Sequence, residues 1–348
     1  MKFIASRNET LLNSVVFTDG QPGCGKTLFT PIISTLKRVE IFNFTTEIEN
    51  LCSLNYLKKM DHDAVIAMLR IQMDLDIYEL MMSRRLNFRP DDLSSAFKNP
   101  QIQKYIKRLF NKGDNFVPDQ IKKNKPILHY ATHNLLAYSK PIFDSFPGKV
   151  SFIEIVRHPI YQIFQQEINY DNWSKKNGTA RQFHLYYQKE KKQFPYWASN
   201  CIEEYFKANS IEKAILEMHY ITNLTNFNKK NILNQYKNNI LTIPFEKFVY
   251  NPSKYIFKIE KLLKTKRSKY TNTVMKEQNV PRLKISDSAN KKLYSRYGWI
   301  RPKENLSELK ELELRKKLIN KKNIKDKYLK ILEKLNLRYE KKYDIKFI

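Results

Sequence analysis

Three of the seven glycines in this 348-residue chain lie in one short run, Gly20-Gln-Pro-Gly-Cys-Gly-Lys-Thr27. The run satisfies the pattern G-x-x-x-x-G-K-S/T, follows an apolar stretch at residues 11–18 that is typical of a strand, and precedes residues 28–36, which can form a helix. Small residues are needed because backbone N–H groups must turn inward around an anion, and a Cβ would block the turn or the approach. The sequence therefore predicts a strand, a phosphate-binding loop and a helix.

The loop supplies the first set of candidate binding residues, which are Gly20, Gly23, Cys24, Gly25, Lys26, Thr27 and Leu28. Lys26 adds a positive charge, Thr27 adds a hydroxyl, and the N-terminus of the following helix adds a favourable dipole. The alternative is a glycine-rich turn without a ligand. Because the chain uses glycine so sparingly elsewhere, we favour the anion-binding interpretation.

Composition indicates a folded protein, since 42% of the residues are hydrophobic and 13% are aromatic. The formal net charge of +28 would by itself suggest a nucleic acid or an anionic surface as partner. The excess is mostly lysine, however, and it is spread along the chain and densest at residues 303–346, where a solvated helical face explains it. We therefore expect no nucleic-acid partner.

Three scattered cysteines, Cys24, Cys52 and Cys201, are too few for a disulfide framework or a zinc site and fit a reducing compartment. The first residues have no apolar core of signal-peptide length, and no apolar run is long enough to span a bilayer. We expect a cytoplasmic protein without a transmembrane segment. The oligomeric state cannot be inferred from these features.

Strand-like segments alternate with helical ones along most of the chain. After the first strand they fall at residues 38–43, 126–133, 150–156 and 239–243. This alternation predicts a three-layer α/β fold with a mostly parallel sheet and helices on both faces. We assign residues 1–302 to that domain, with a helical insertion at 44–112 and a second insertion at 170–210, and residues 303–348 to a charged helical C-terminal extension.

Ligands of such sheets bind at the carboxyl ends of the strands, so the residues found there are informative. The strand at residues 150–156 is followed by Arg157-His158-Pro159, and no apolar strand ends in a convincing acid for magnesium. A basic residue at a strand end suits a second anionic group on the ligand. The alternative is an ATP- and magnesium-dependent small-molecule kinase, because Lys26 and Thr27 complete the nucleotide-loop pattern.

Four segments, in order along residues 15–264, together resemble the sulfotransferases that use 3′-phosphoadenosine-5′-phosphosulfate (PAPS). The loop is similar to that family's 5′-phosphosulfate loop. Ile127-Leu-His-Tyr-Ala-Thr-His133 is similar to the strand that carries the catalytic base, and Phe152-Ile-Glu-Ile-Val-Arg-His-Pro159 to the 3′-phosphate motif Val-Arg-Asp-Pro. The segment Leu241-Thr-Ile-Pro-Phe-Glu-Lys-Phe-Val-Tyr-Asn-Pro252 is similar to the Tyr-Glu-Asp-Leu segment.

The resemblance implies a sulfotransferase that moves a sulfuryl group from PAPS, as donor substrate, to an acceptor hydroxyl, with no metal. It assigns His133 as catalytic base, Lys26 as the loop cation that stabilises the leaving phosphate, and Arg157 as the ligand of the 3′-phosphate. Composition of the two insertions suits a carbohydrate or lipid acceptor, because aromatic side chains can stack on it.

The sequence departs from the family pattern at several positions. Lys26 stands where the family has Thr, and the family's loop lysine falls on Gly23. The family's serine after the arginine motif falls on Gln165, which still has a hydrogen-bond donor. His158 replaces the usual Asp, and the glycine-bearing 3′-phosphate loop is represented only by residues 296–299, Arg-Tyr-Gly-Trp.

Other polar residues admit a structural role. His129 lies four residues before His133, about 13 Å away at strand rise, so the two cannot share a metal. Glu246 is interpreted as a structural acid that fixes its loop, and a role as the catalytic base in place of His133 is the alternative. Arg84, Arg85 and Arg89 either contact an acidic acceptor or face water.

Overall fold

The computed structural model describes residues 3–175, 183–285 and 306–346. Its centre is a five-stranded sheet in which all neighbouring strands are parallel, in the order β2-β3-β1-β4-β7. The strands are β1 (Ser14–Asp19), β2 (Asn43–Phe44), β3 (Ile127–Ala131), β4 (Val150–Val156) and β7 (Ile240–Pro244). Helices cover both faces, so the predicted three-layer α/β class is confirmed.

The side chains of β1 point alternately into two apolar layers, one on each face of the sheet. Val15 and Phe17 are buried in one cluster, whereas Val16 is buried in the other. Successive side chains of a strand point to opposite faces, so a strand that is apolar throughout must be covered on both sides. Such continuous apolar runs are what the sequence shows for the central strands.

Fourteen α-helices are assigned within the described residues. The first seven are α1 (Lys26–Ile33), α2 (Thr46–Tyr56), α3 (His62–Leu80), α4 (Ile102–Arg108), α5 (Phe116–Asn124), α6 (Lys140–Ser145) and α7 (Pro159–Ser174). The others are α8 (Ile202–Lys207), α9 (Ser210–Lys230), α10 (Phe245–Tyr250), α11 (Pro252–Leu262), α12 (Thr271–Glu277), α13 (Glu308–Asn320) and α14 (Asp326–Tyr343).

Two local predictions differ from the structure. The strand expected at residues 38–43 is wrong in position: β2 covers only Asn43–Phe44, and Val39 makes a single bridge to Ile127. The second insertion contains an antiparallel hairpin, β5 (Tyr186–Lys189) with β6 (Lys192–Pro195), that the sequence did not indicate. Its strands are short and polar, with one largely buried position, Phe194, and so lack a period-2 apolar signal.

The two C-terminal helices pack against the body of the fold. Helix α14 contacts α7 and α9, and α13 contacts α7. Their apolar side chains, such as Leu312 and Leu332, join the same buried cluster as α7 and α9. This packing brings α14 close to the end of β4.

The carboxyl ends of β1 and β4 lie side by side. Asp19, the last residue of β1, is in register with Glu154 of β4, and Thr18 is in register with Ala131 of β3. The residues that follow these strands therefore emerge at one edge of the sheet. They are the glycine-rich loop after β1, Thr132 and His133 after β3, and Arg157 after β4.

Candidate active site

The loop after β1 depends on glycine at two positions. A Cβ on Gly20 would lie 2.3 Å from the carbonyl oxygen of Ile155 in β4, which is backbone and cannot move aside cheaply. Gly25 has φ of +101°, and a Cβ there would lie 2.4 Å from the ring of Phe245. Only glycine permits this combination of left-handed backbone and close approach. The loop is thus pressed against β4 and the start of α10.

The side chains of the loop have different environments. Lys26 is 7% exposed, and its Nζ donates to the carbonyl oxygens of Gly20 at 2.5 Å and Gln21 at 3.2 Å. Cys24 is buried, and its N–H donates to Gln21 O at 3.2 Å, while burial raises the pKa of its thiol. The N–H of Leu28 donates to Gly25 O at 2.9 Å as α1 begins.

A cavity of about 350 Å³ opens beside the loop and brings together most of the predicted site residues. We call it the first cavity. Its wall includes Gly23, Gly25, Lys26, Thr27, His133, Arg157 and Gln165. Of the remaining predicted residues, Gly20 lines a smaller pocket with Arg157, Leu28 lines the second cavity described below, and Cys24 faces the core beneath the loop.

Arg157 lies directly against the loop. Its Nη1 donates to the carbonyl oxygen of Gly23 at 3.2 Å, and its guanidinium stands 4.4 Å above the ring of Phe245 and 5.5 Å from that of Tyr161. Only 7% of the residue is exposed, and its Nε is buried without a hydrogen-bond partner among the described residues. The arginine and the loop therefore share one edge of the sheet, as the family resemblance requires.

A second cavity, of about 560 Å³, is also lined by Arg157. It shares Gly25, Thr27 and Arg157 with the first cavity and is also lined by Leu28, Pro31, Phe245 and Arg282. Arg282 is 7% exposed, and its guanidinium lies 5.6 Å from the centroid of the Phe245 ring, so Arg282 and Arg157 are both close to this one ring. Arg282 lies outside the four segments that resemble the sulfotransferase family.

The structure supplies a physical account of His158. Its ring nitrogen Nδ1 accepts the N–H of Ile160 at 3.3 Å, so it caps α7 as an Asp would. Its Nε2 lies 2.9 Å from Oε1 of Glu340 in α14, a contact on the far side of the ring that the shorter Asp side chain lacks the atoms to make. Burial lowers the pKa of His158, against the pull of Glu340.

Glu246 links the same region to the C-terminal helix, and both of its carboxylate oxygens accept hydrogen bonds from the protein. Its Oε1 accepts the N–H of His158 at 2.9 Å, and its Oε2 accepts the hydroxyl of Tyr339 at 2.6 Å. The Tyr339 hydroxyl also lies 3.2 Å from the carbonyl oxygen of Val156. The residues on either side of Arg157 are thereby fixed by α10 and α14.

His133 follows β3 and faces the first cavity with 37% of its side chain exposed. Its backbone N–H donates to Oε1 of Glu49 at 2.6 Å, and its Nδ1 lies 3.5 Å from the same oxygen. The ring of Phe44 stacks on it at 6.4 Å. Burial and the charge of Lys26 lower the pKa of His133 below its usual value, against the opposing effect of Glu49. The imidazole is therefore neutral at neutral pH.

His129, by contrast, is a structural residue. It is fully buried, with Nε2 2.8 Å from the Thr18 hydroxyl and Nδ1 3.0 Å from the Ser34 hydroxyl. Burial lowers its pKa to about 3. Both ring nitrogens have partners within the core, so His129 does not reach the cavity.

Two functional candidates in the cavity wall were missed by sequence reasoning. Glu49, on α2, is 4% exposed, and His184 precedes β5. Burial disfavours the charge of Glu49, but the hydrogen bonds and charges of His133 and His184 lower its pKa to about 2. Both lie in the two insertions, where no local pattern distinguishes them from surface polar residues. Their proximity to His133 arises only from the tertiary fold.

A third carboxyl, Glu217 of α9, also lines the first cavity. It accepts hydrogen bonds from the Tyr170 hydroxyl at 2.7 Å and from Asn134 Nδ2 at 3.0 Å, and burial raises its pKa. Aromatic side chains from the second insertion line the same cavity. They include Trp173, Tyr186, Tyr196, Trp197 and Tyr205.

Asp19, which directly precedes the loop, has both carboxylate oxygens hydrogen-bonded to other groups of the protein. Its Oδ1 accepts from the Thr132 hydroxyl at 2.9 Å and from the N–H of Leu135 at 3.1 Å, and its Oδ2 accepts the N–H of Leu136 at 2.8 Å. Across the three described ranges, no group of three His, Cys, Asp or Glu side chains has a metal-holding arrangement.

The remaining predicted residues lie elsewhere. Arg85 pairs with Asp76 and Glu79, and Arg89 lies 3.6 Å from Asp92, so these two have acidic partners within the protein. Arg84 does not appear in the wall of either cavity. Residues 296–299, expected to serve the 3′-phosphate, lie outside the described residues. In the part of the chain that the structure describes, every helix is too short or too polar to cross a bilayer.

No protein-family model and no curated protein matches the chain. Among solved structures, the sulfotransferase domain of the Synechococcus PCC 7002 olefin synthase aligns over 91% of this chain and 98% of its own, at 10% identity and a TM-score of 0.39. Sulfotransferase STF9 from Mycobacterium avium aligns over 97% of this chain and 79% of its own, at 10% identity and a TM-score of 0.44. A sulfotransferase from Alicyclobacillus acidocaldarius covers 82% of this chain and 91% of its own, at 12% identity and a TM-score of 0.36.

All three are named as sulfotransferases, the family that the sequence motifs resemble. Their identities and TM-scores are low. The fold assignment therefore rests on the strand order and the loop geometry described above.

Proposed function

We propose that the protein is a sulfotransferase that moves a sulfuryl group from PAPS to an acceptor hydroxyl. The observation that carries this proposal is the position of Arg157. Its guanidinium is bonded to the backbone of the phosphate-binding loop and forms part of the wall of both cavities. A cation at that place suits a donor with one phosphate at the loop and a second phosphate beyond it.

The buried Nε of Arg157 supports the fit of a 3′-phosphate. A buried donor without a partner costs about 1–3 kcal/mol, and a phosphate oxygen would satisfy it. In this proposal the 5′-phosphosulfate lies on the loop at Gly23, Gly25, Lys26 and Thr27, with Gln165 beside it. The adenosine occupies the second cavity, where Phe245 offers a ring and Arg282 a second positive charge.

The reaction is an in-line displacement at sulfur. The acceptor oxygen forms a bond to sulfur as the bond from sulfur to the 5′-phosphate oxygen breaks. His133, neutral at neutral pH, takes the acceptor's proton, with its Nδ1 held towards Glu49 and Nε2 as the base. Lys26 and the loop amides stabilise the charge that develops on the leaving phosphate.

The acceptor lies in the first cavity in this proposal. Both insertions contribute to its wall: the first provides Glu49, Asn50 and Ser53, and the second provides aromatic residues such as Tyr186 and Trp197. Flat aromatic rings beside hydrogen-bonding carboxyl and amide groups suit the ring of a carbohydrate, and the apolar area also suits a lipid hydroxyl.

The kinase alternative predicts a carboxylate free to help hold magnesium near Thr27. Asp19 is the acid at the end of β1, and both of its oxygens accept hydrogen bonds from the protein. β3 is followed by Thr132 and β4 by Arg157. These positions favour a donor with a separate 3′-phosphate over Mg·ATP.

Calorimetric titration of the protein with 3′-phosphoadenosine 5′-phosphate (PAP) and with ATP, each with and without magnesium, tests the proposal. We expect PAP to bind with an affinity that magnesium does not change, and to bind more tightly than Mg·ATP. A preference for Mg·ATP would overturn the proposal and favour the kinase. Binding of neither nucleotide would reject both.

A further inference from the structure

A second histidine, His184, stands beside His133 in the wall of the first cavity. Its Nδ1 lies 3.3 Å from Oε2 of Glu49, while Oε1 of the same carboxylate lies 3.5 Å from Nδ1 of His133. The two ring centroids are 6.2 Å apart, with the rings nearly perpendicular. One buried carboxylate is therefore shared by two imidazoles that both face the cavity.

The backbone on both sides of His184 is held by the helix that carries Glu49. Asn50 Nδ2 donates to the carbonyl oxygen of Phe183 at 3.1 Å, and Asn50 Oδ1 accepts the N–H of Leu185 at 2.8 Å. One turn further along α2, the Ser53 hydroxyl lies 3.0 Å from that of Tyr187. These contacts fix the position of His184 relative to Glu49 independently of the histidine side chain.

We propose that His184 is a positioning residue for the transfer. As a cation, His184 binds one oxygen of Glu49, and its positive charge keeps His133 uncharged and therefore able to accept a proton. This role rests on the proposed sulfotransferase function. The acceptor's proton moves to Nε2 of His133 as the new sulfur–oxygen bond forms. That proton creates a second cation near the first, and the resulting repulsion favours return of a proton to water before the next turnover.

The charges around the pair agree with this division of roles. The hydrogen bond to Glu49 raises the pKa of His184, against the effect of burial, and Glu217 of α9 acts in the same direction as Glu49. Burial and Lys26 lower the pKa of His133, and the charge of His184 contributes to that lowering. Two imidazoles whose environments separate their proton affinities can serve as an acid and a base at one pH.

The substitution His184→Asn isolates the charge, because the Asn amide can still donate to Glu49 but cannot carry a proton. His184→Arg restores a permanent cation at the same place. His62→Asn is a matched control: His62 also lies near a carboxylate, 2.9 Å from Asp144, and the side chains of His62 and His184 are both 43% exposed, but His62 is not in the cavity wall.

The measurement is an NMR pH titration of the His133 ring signal in the full chain labelled with ¹³C-histidine. We expect His184→Asn to raise the measured pKa of His133, because a neighbouring positive charge is lost, whereas His184→Arg and His62→Asn leave it near the wild-type value. If the His184→Asn variant titrates like the His62→Asn control, the proposed role of His184 is wrong.

Calorimetry with PAP on the same proteins separates this inference from the proposed function. Wild-type protein that fails to bind PAP would reject the sulfotransferase proposal, and with it the role assigned to His184. PAP binding that is equal in wild type and His184→Asn, together with the upward change in the His133 pKa, supports both. PAP binding without that change leaves the sulfotransferase proposal standing and rejects the role of His184.

Discussion

Replacing Arg157 by Ala should weaken binding of PAP much more than binding of 5′-AMP, which lacks the 3′-phosphate. Arg157 is almost fully buried, so its contacts to a phosphate would be little screened by solvent. Hydrogen bonds to charged groups contribute about 1.5–3 kcal/mol each. Because Nη1 is already engaged by Gly23, we expect a total loss of about 2–3 kcal/mol, or about 30- to 140-fold in the dissociation constant.

Calorimetric titration of wild type and variant with both nucleotides measures this effect. The ratio of the PAP and 5′-AMP affinities isolates the 3′-phosphate, since the loop contacts are common to both ligands. Arg157→Lys is the matched variant: it retains the positive charge but loses the planar fork, so its PAP affinity should be intermediate. Chemical unfolding of each protein should accompany the titrations, because Arg157 also packs on Phe245.

Equal losses of PAP and 5′-AMP affinity would refute the assignment. That result would mean that Arg157 supports the shape of the loop, through Gly23, and does not contact the 3′-phosphate. An unchanged affinity for both would remove Arg157 from the binding site altogether.

Three further predictions concern other parts of the molecule. His133→Ala should abolish PAPS turnover while calorimetry shows PAP affinity nearly unchanged, and unimpaired turnover would exclude His133 as the base. Glu40→Ala, which removes a carboxylate buried between two cations, should lower the free energy of unfolding by about 3–5 kcal/mol at pH 7 in urea titrations without altering PAP binding. Burial raises the pKa of Glu40, but its basic partners lower it to about 2 from 4.5. The stabilisation by Glu40 is therefore present above pH 4.5 and is lost as the pH falls towards 2. If the difference in unfolding free energy between wild type and Glu40→Ala does not change across that pH range, the assignment is contradicted. Tyr339→Phe removes the hydroxyl bonded to Glu246 and should weaken PAP binding severalfold, whereas an unchanged affinity would show that the C-terminal helix does not support Arg157.

The loop and the parallel sheet were predictable because their signals are local. The spacing of the glycines indicates a loop backbone that other residues adopt only with strain. Apolar strands of five to seven residues between helical segments indicate a parallel sheet that is covered on both faces. Once the strands are parallel, their carboxyl ends meet at one edge. The nearness of the loop, His133 and Arg157 then follows from topology.

The rest of the site could not be read in the same way. Glu49 and His184 are separated by 135 positions, and they meet because Asn50 binds the segment before β5 and Ser53 contacts Tyr187 within β5. The strand expected at residues 38–43 fails for a related reason: its pairing with β3 is limited to Asn43–Phe44 and one bridge from Val39 to Ile127. The side chain of Glu40, between these two points, joins an ion cluster with Lys104 and Arg108. Tertiary contacts decide both cases.

His158 illustrates a substitution that becomes intelligible only in three dimensions. In the sequence it is an unexplained replacement of Asp. In the structure it keeps the helix-capping contact and adds a bond to Glu340, 182 positions away. Histidine at this position therefore depends on α14, the C-terminal helix that carries Glu340 and packs near the end of β4.

A crystal structure of the protein with PAP tests the central claim most directly. The account predicts the 5′-phosphate on the loop at Gly23, Gly25 and Thr27, and the 3′-phosphate in contact with the guanidinium of Arg157, with the adenine in the second cavity. A 3′-phosphate that lies away from Arg157, or a nucleotide bound outside both cavities, would contradict it.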